Sequence, residues 1–325
     1  ISLAGFQTMA DQHQPPVGKT TSMWGFTPDR NLVSDETDLP TEWDAESGQG
    51  IKWVVELGSQ TYAGPVVHDG KVFVGTNNQA TYNPKLTGDR GVLAAFNEED
   101  GQFLWQITHT KLTSGRVNDW PQQGICSTPF VEGDRLYYIS NRCQVVCVDT
   151  EGFLDGENDG PYKDEAETSE IDGDIIWIYE MMDELDVFPH NLATCSPVGA
   201  GGLLFVETSN GVDEGHIHIP SPLAPSFIAL KKETGELVWE DDSPSGHILH
   251  GQWSNPAYAV INNQPQVVFP GGDGWVYSFQ PDNGELIWKF DCNPKDAEWE
   301  LGGRGTRNSI IATPVIHHNR VYIGV

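Results

Sequence analysis

No run of about 20 apolar residues occurs in the 325-residue chain, so no segment of it can cross a bilayer as a helix. Basic residues are few: 18 Lys and Arg stand against 47 Asp and Glu, a net charge of −29. Phosphates would be repelled at every approach, which argues against nucleic acid as a partner and disfavours an anionic membrane surface. Cysteine is scarce as well. The five, Cys126, Cys143, Cys147, Cys195 and Cys292, contain no C-x-x-C, no C-x-x-C-H and no adjacent pair, which excludes a covalent c-type haem in this chain. No Ala-rich or Leu-rich stretch keeps a 3.6-residue period over a useful length, so helices should be few. GICSTP and ATCSP offer Cys and Ser without a G-x-S-x-G elbow, and PGGDGW (Pro270 to Trp275) has neither the Walker Lys-Ser/Thr nor a following helix. Hydrolase and phosphate-loop chemistry are therefore disfavoured. Turn formers, by contrast, abound, with 35 Gly and 21 Pro.

The abundant residues are organised. One phrase recurs four times: DGQFLW (Gly101 to Trp105), DGDIIW (Gly173 to Trp177), TGELVW (Gly235 to Trp239) and NGELIW (Gly284 to Trp288). Each places Gly in a turn and Trp at the end of a β-favouring run. A second phrase, a small or polar residue before Pro followed by two apolar strands about a turn, begins at Gly64, Thr128, Ser196, Asn255 and Thr313. A third strand lies between the two phrases: GVLAAFN, CQVVCVD, SFIALK and GWVYSF. Four antiparallel strands per unit, repeated at roughly 60 residues, is the signature of a β-propeller blade, because one small twisted sheet cannot bury both faces until its neighbours stack on it. The chain divides into an N-terminal extension, 1–50, and blades, 51–325. The last hairpin stops at Val325 after its second strand. Either the chain is a piece of something longer or the strand IKWVVEL (Ile51 to Leu57) completes a composite blade, with Trp53 as its closing tryptophan.

The Gly-x-x-x-Trp ending with its preceding Ala-[Leu/Phe]-[Asp/Asn] strand resembles the repeat of the quinoprotein-like (PQQ-like) β-propellers. The wording of TGDRGVLAAF, ICSTPF, DGENDG, GQWSNPAY and GGRGTRNSIIATPV is similar to the secreted PQQ-like repeat proteins of planctomycete-type bacteria. The resemblance covers about Trp24 to Val325. It implies an all-β propeller with tryptophan docking between blades, eight blades in full and about five to six in this chain. It also implies a periplasmic or secreted location, and a role either as a scaffold without cofactor or as an oxidoreductase using pyrroloquinoline quinone (PQQ) with Ca²⁺.

In a propeller, chemistry collects where the innermost strands begin, just before the Pro of each hairpin. Those positions carry Gln60 and Tyr62, then Asp119, Trp120, Gln122 and Gln123, then His190 and Asn191, then His250, Gln252 and Trp253, then Arg304, Arg307 and Asn308. Cations with aromatic faces and amides suit a small planar anionic ligand, whose charge the Arg groups would neutralise and whose face the Trp rings would stack on. The same residue types also satisfy buried backbone groups in non-catalytic propellers. For a quinone, the resemblance implies Asn191 toward a metal, Trp253 or Trp120 for stacking, Arg307 at a carboxylate or quinone oxygen, and Asp119 as base. No Glu stands clearly in the ring, and the adjacent-cysteine pair of many such enzymes is absent.

Two further segments carry metal chemistry. In the acidic insertion Asp149 to Asp174, Asp155, Glu157, Asp159 and Gly160 occupy positions one, three, five and six of a Ca²⁺ loop. Position twelve is Ala166, flanked by Glu165 and Glu167, and Pro161 is awkward at position seven, so a solvated acidic loop stands beside the Ca²⁺ reading. His216 and His218 in GHIHIP would share one face of a strand, as a metal pair or as packing residues. Cys126 and Cys195 precede successive hairpin prolines and are expected near each other, either bridged or as buried free thiols. A protein partner remains the alternative to a small ligand at the mouth.

Overall fold

The pre-proline phrases fold as hairpins because each pairs two short apolar runs across a turn in which Asp, Asn or Gly takes positive φ, as at Asp69, Gly133, Gly201, Asn262 and Asn319. In the computed structural model, which describes residues 21–34 and 36–325, they begin five sheets. After β1 (Thr21–Ser22), the first blade is β2 (Val66–His68), β3 (Lys71–Asn77), β4 (Arg90–Asn97) and β5 (Phe103–Thr110). The second is β6 (Phe130–Glu132), β7 (Arg135–Ile139), β8 (Gln144–Asp149) and β9 (Ile175–Glu180), joined by β1 on its inner edge. The third is β10 (Val198–Ala200), β11 (Leu203–Glu207), β12 (Phe227–Lys231) and β13 (Leu237–Asp241). The fourth is β14 (Ala257–Ile261), β15 (Gln264–Pro270), β16 (Trp275–Phe279) and β17 (Leu286–Asp291), and β18 (Val315–His317) with β19 (Arg320–Tyr322) begins a fifth. Every pairing is antiparallel, and the one α-helix among the described residues, α1 (Met181–Leu185), is a single turn after β9. The first strands lie side by side, β2 with β6, β10 with β14 and β14 with β18, which makes them the inner wall of a β-propeller.

The core is accordingly a series of layers between blades. Phe73, Leu93 and Trp105 meet Val131, Leu136 and Tyr138 between the first two. Phe130, Trp177, Phe205, Phe227, Trp239 and Phe269 run through the next two interfaces. The tryptophans set the spacing. Trp53, Trp105, Trp177 and Trp239 donate their indole N–H to the carbonyls of Glu98, Thr150, Lys232 and Pro281 in the following blade, at 2.9, 3.2, 3.0 and 2.6 Å. Each ring then covers a glycine so closely that a Cβ on Gly101, Gly235 or Gly284 would stand 2.7 to 2.8 Å from a ring carbon. These glycines also sit at φ near +70°, so any side chain there would be strained and would clash. In all four complete blades the third strand slips register one residue after the partner of the tryptophan: Ala95, Cys147, Ala229 and Ser278 face Trp105, Trp177, Trp239 and Trp288. In the second blade the acidic insertion opens this turn, and Trp105 packs against both of its ends, Gly152 and Gly173.

A second device ties the inner ends. The Gly64 amide donates to Thr128 Oγ1 (2.8 Å), the Thr128 amide to Ser196 Oγ (3.0 Å), the Ser196 amide to Asn255 Oδ1 (2.5 Å), and Asn255 Nδ2 to Thr313 Oγ1 (2.7 Å). From the second blade on, the pre-proline residue thus uses its side chain to satisfy that of the preceding blade, giving those positions a structural reason to be Thr, Ser or Asn.

Part of the extension assigned to 1–50, residues 1–20, lies outside the described residues. From Thr21 the chain is not an appendage: β1 pairs with β6, Tyr258 and Ile316 donate backbone bonds to Pro28 and Asp29, and Met23 joins the core. Arg30 is buried and donates to the carbonyls of Trp24, Ser196, Pro197 and Pro256. This segment strap-ties the second to fifth blades. Residues 51–57 alternate half-buried and exposed as a strand would, yet pair with no strand among the described residues; Trp53, Val55 and Leu57 pack against the first blade. All five cysteines are free, so Cys126 and Cys195 are unbridged thiols, and burial pushes the Cys126 thiol up to about 12.

Candidate functional site

Three loops at the mouth of the ring converge on a group of imidazoles. His190 closes the approach to the third blade, His250 the approach to the fourth, and His216 stands on the loop between β11 and β12. Their ring centroids are 4.4 Å (His190–His250), 4.5 Å (His216–His250) and 5.0 Å (His190–His216) apart. Backbone bonds hold them. His190 N–H reaches the Ser209 carbonyl, Val212 N–H reaches the His250 carbonyl (2.9 Å), and His190 Nδ1 donates to the Val212 carbonyl at 2.7 Å. That last bond fixes the His190 tautomer and leaves Nε2 as a bare acceptor, buried and without a partner. His216 Nε2 and His250 Nε2 are 3.2 Å apart and share one proton.

The surroundings favour the neutral form of His190 and His250. Burial lowers His190, and burial with the two neighbouring imidazoles lowers His250 to about 4. Trp253 packs its ring edge-on to His250 (5.1 Å) and donates its N–H to the His190 carbonyl at 3.0 Å. The same Trp253 lines a cavity of about 320 Å³ in the channel, with Trp24, Tyr62, Gln123 and Asn255.

His216 and His218 do not share a strand face: residues 211–220 form turns, and His218 is exposed. The Asp213 carboxylate accepts the amides of Ile217 and His218, and this turn holds His216 at φ +56°, with Gly302 behind it. His216 belongs instead with His190 and His250. The sequence carried no spacing that pairs it with either.

The remaining residues expected at the mouth are mostly engaged by internal partners. Trp120 donates its amide to the Asn191 carbonyl (2.7 Å) and carries Arg116 over its ring at 5.2 Å. Asp119 is buried, paired to Lys111, and accepts Leu112 N–H (2.9 Å) and Asn141 Nδ2 (2.8 Å), so both its oxygens are used. Gln123 bonds Gln60, and Gln252 bonds the Asn210 carbonyl, Ser226 Oγ and the Gly272 amide. Arg307 forks onto Asp291 at 2.6 and 3.2 Å and reaches the Asp273 carbonyl. Asn308 is tied to Asn293 through its backbone, and Arg304 is exposed on a turn. The two residues that the resemblance assigned to a PQQ seat as base and cation, Asp119 and Arg307, are thus both engaged by internal partners. One buried carboxyl escaped the sequence reading: Glu207, at the end of β11, is pushed well above the ordinary range by burial, with the Asp273 charge adding to it.

The acidic insertion forms a second group. Carboxylate oxygens of Asp149, Asp155 and Asp159 lie within 4.8 Å of one another. Glu157 is exposed and outside that group; its amide caps Asp155. Asp174 Oδ2 accepts the Asp159 amide at 2.6 Å, while Asp174 Oδ1 and both oxygens of Glu165 are buried without partners. Burial, then the charges of Glu165, Asp159 and Asp149, push Asp174 up to about 6.

A family model described as outer membrane protein assembly factor BamB matches residues 7–106, 85–152 and 164–324. Among solved structures, the chain resembles the quinohemoprotein alcohol dehydrogenase of Comamonas testosteroni at 12% identity and a TM-score of 0.58, over 93% of this chain and 44% of that one. Quinohemoprotein alcohol dehydrogenase ADHIIG of Pseudomonas putida HK5 gives 14% identity and 0.54, again over 93% and 44%. BamB of Moraxella catarrhalis gives 12% and 0.45, over 83% and 57%. The chain therefore spans about half the length of the solved structures it matches, and at such identity the likeness is one of fold. No helix of the described residues is long and apolar enough to cross a membrane.

Proposed function

The chain belongs to the outer membrane protein assembly factor BamB family of PQQ-like repeat propellers, and from that premise we propose that it is an extracytoplasmic binding scaffold without catalysis of its own. One observation carries the reading: Asp119 and Arg307, the residues that a quinoprotein would spend on its base and its quinone contact, are each engaged by internal partners. What stays available at the mouth is a channel cavity edged by Trp24, Tyr62 and Trp253, which suits a small planar ligand or an inserted side chain of a partner protein.

The reading includes a structural Ca²⁺ ion on the acidic insertion. Support comes from the convergent oxygens of Asp149, Asp155 and Asp159 and from the unpartnered buried oxygens of Asp174 and Glu165, which a hard cation would satisfy. Arg135, bound to Asp149, supplies part of the same compensation, so the ion adds to an existing balance.

The test is a titration of the metal-stripped protein with pyrroloquinoline quinone, with and without Ca²⁺, followed by Trp fluorescence, visible absorbance and alcohol-dependent reduction of an artificial electron acceptor. The scaffold reading predicts no saturable quenching at micromolar quinone and no turnover. A Ca²⁺-dependent quinone band with alcohol turnover would replace it by the oxidoreductase.

A further inference from the structure

We propose that His190, His216 and His250 form a binding site for a borderline transition-metal dication of the zinc class. Three imidazoles from three separate loops bring one ring nitrogen each to within 4.8 Å of the others. Zn–N bonds of 2.0–2.1 Å in a tetrahedral site place the ligand nitrogens roughly 3.3 Å apart. His216 Nε2 and His250 Nε2 already stand at 3.2 Å. Closing the third imidazole onto them asks for a shift of no more than about 1.5 Å.

A packed histidine cluster is the alternative, and one atom speaks against it. Packed histidines find partners for both ring nitrogens, yet His190 Nε2 is buried with none. The opposite nitrogen donates to the Val212 carbonyl, the orienting bond that metal-ligating histidines make, and so Nε2 keeps a free lone pair. A single dication satisfies that lone pair and replaces the proton shared by His216 and His250. The backbone also holds His216 in the left-handed region, φ +56°, where a non-glycine residue is uncommon. Gly211 and Gly302 sit where a Cβ would come within 2.7 Å of His190 Cβ and 2.9 Å of His216 Cβ, so the loops are closed down on the imidazoles.

The donor set decides the metal. All-imidazole coordination suits Zn²⁺, Cu²⁺ or Ni²⁺ and disfavours Ca²⁺ and Mg²⁺, which take oxygen. The Asp213 carboxylate at the base of the His216 turn supplies compensating negative charge. Three protein ligands leave a fourth position for water or an anionic donor.

The experiment uses the whole chain, stripped with a chelator and titrated with Zn²⁺ against a chromophoric competitor, with Co²⁺ as a spectroscopic probe. One equivalent of Zn²⁺ is expected at micromolar affinity or tighter, together with the visible absorption of four-coordinate Co²⁺. H216A, at a half-buried loop position, and H250A should each weaken Zn²⁺ binding by at least about 100-fold and abolish the Co²⁺ band. H218A, exposed two residues away, should change neither. Wild-type protein that takes up no stoichiometric Zn²⁺, or loss in H218A equal to that in H216A, would overturn the site. The first criterion holds even if a histidine variant fails to fold.

Discussion

The imidazole group and the acidic group are both built from loops, yet they are built in opposite ways. At the mouth, His190 and His250 are locked into one backbone framework through Val212, Ser209 and the channel wall, and their rings are aligned before any ligand arrives. On the insertion, Asp155 is exposed, Asp159 half-buried and Asp149 shared with Arg135, so the carboxylates are gathered but not fixed. The difference matches what each donor requires. Directional nitrogen ligands of a tetrahedral ion need pre-set geometry, whereas Ca²⁺ accepts six to eight oxygens in a flexible shell. On the proposed reading, a rigid scaffold and a loose insertion would hold two different ions without competing for either.

The largest effect that sharpens this comparison is expected from the double variant H216A/H250A. Its Zn²⁺ affinity should fall by roughly 1,000-fold, about 4 kcal/mol, with the Ca²⁺ response unchanged, as read by competition titration and by thermal melts with Ca²⁺. Loss of both responses together would merge the two groups into one.

Next comes a control imidazole. His109 is buried, bonded to the Tyr138 hydroxyl at 2.7 Å, and lowered to about 4, first by burial and then by the Arg142 charge. Below the unfolded-state value near 6.5 the unfolded chain takes up a proton that the folded chain refuses, so stability falls as pH drops from about 6.5 to 4, by about 3 kcal/mol at most. H109Q should flatten that slope in denaturant titrations at several pH values. An unchanged slope would mean that other groups carry it.

Chelation should cost less. Removing Ca²⁺ from a site held at a hundred times its Kd corresponds to about 2.7 kcal/mol, or about 4 °C in Tm for a chain of this size, and D155N/D159N should show no such shift. The smallest effect is expected at Gly211. A Cβ there would stand 2.7 Å from His190 Cβ, so G211A should weaken Zn²⁺ binding about 10-fold while leaving the Ca²⁺ shift intact.

The blades were legible because their signals are local and periodic. Gly101, Gly235 and Gly284 lie four residues before the tryptophans of their own strands, and the positive φ and the close approach of the preceding blade's indole both demand glycine. The pre-proline phrases pointed to His190, His250 and Trp253, whose rings the fold brings together. His216 could not, since it reaches the group through a left-handed turn set by Asp213 and backed by Gly302, neither of which leaves a spacing to read. Arg30 was equally hidden: three of its four carbonyl partners, those of Ser196, Pro197 and Pro256, belong to distant segments. The carboxylates were legible as a class, but the fold brought Asp149 and Asp174 to Asp155 and Asp159 and left Glu157 outside.

Anomalous diffraction from crystals soaked with Zn²⁺ and Ca²⁺ together, recorded on both sides of the zinc absorption edge, tests the division between the two groups most directly. The account predicts a zinc peak about 2.1 Å from a ring nitrogen of each of His190, His216 and His250, and a calcium peak without zinc signal among Asp149, Asp155 and Asp159. Zinc among the carboxylates with none at the imidazoles would contradict it.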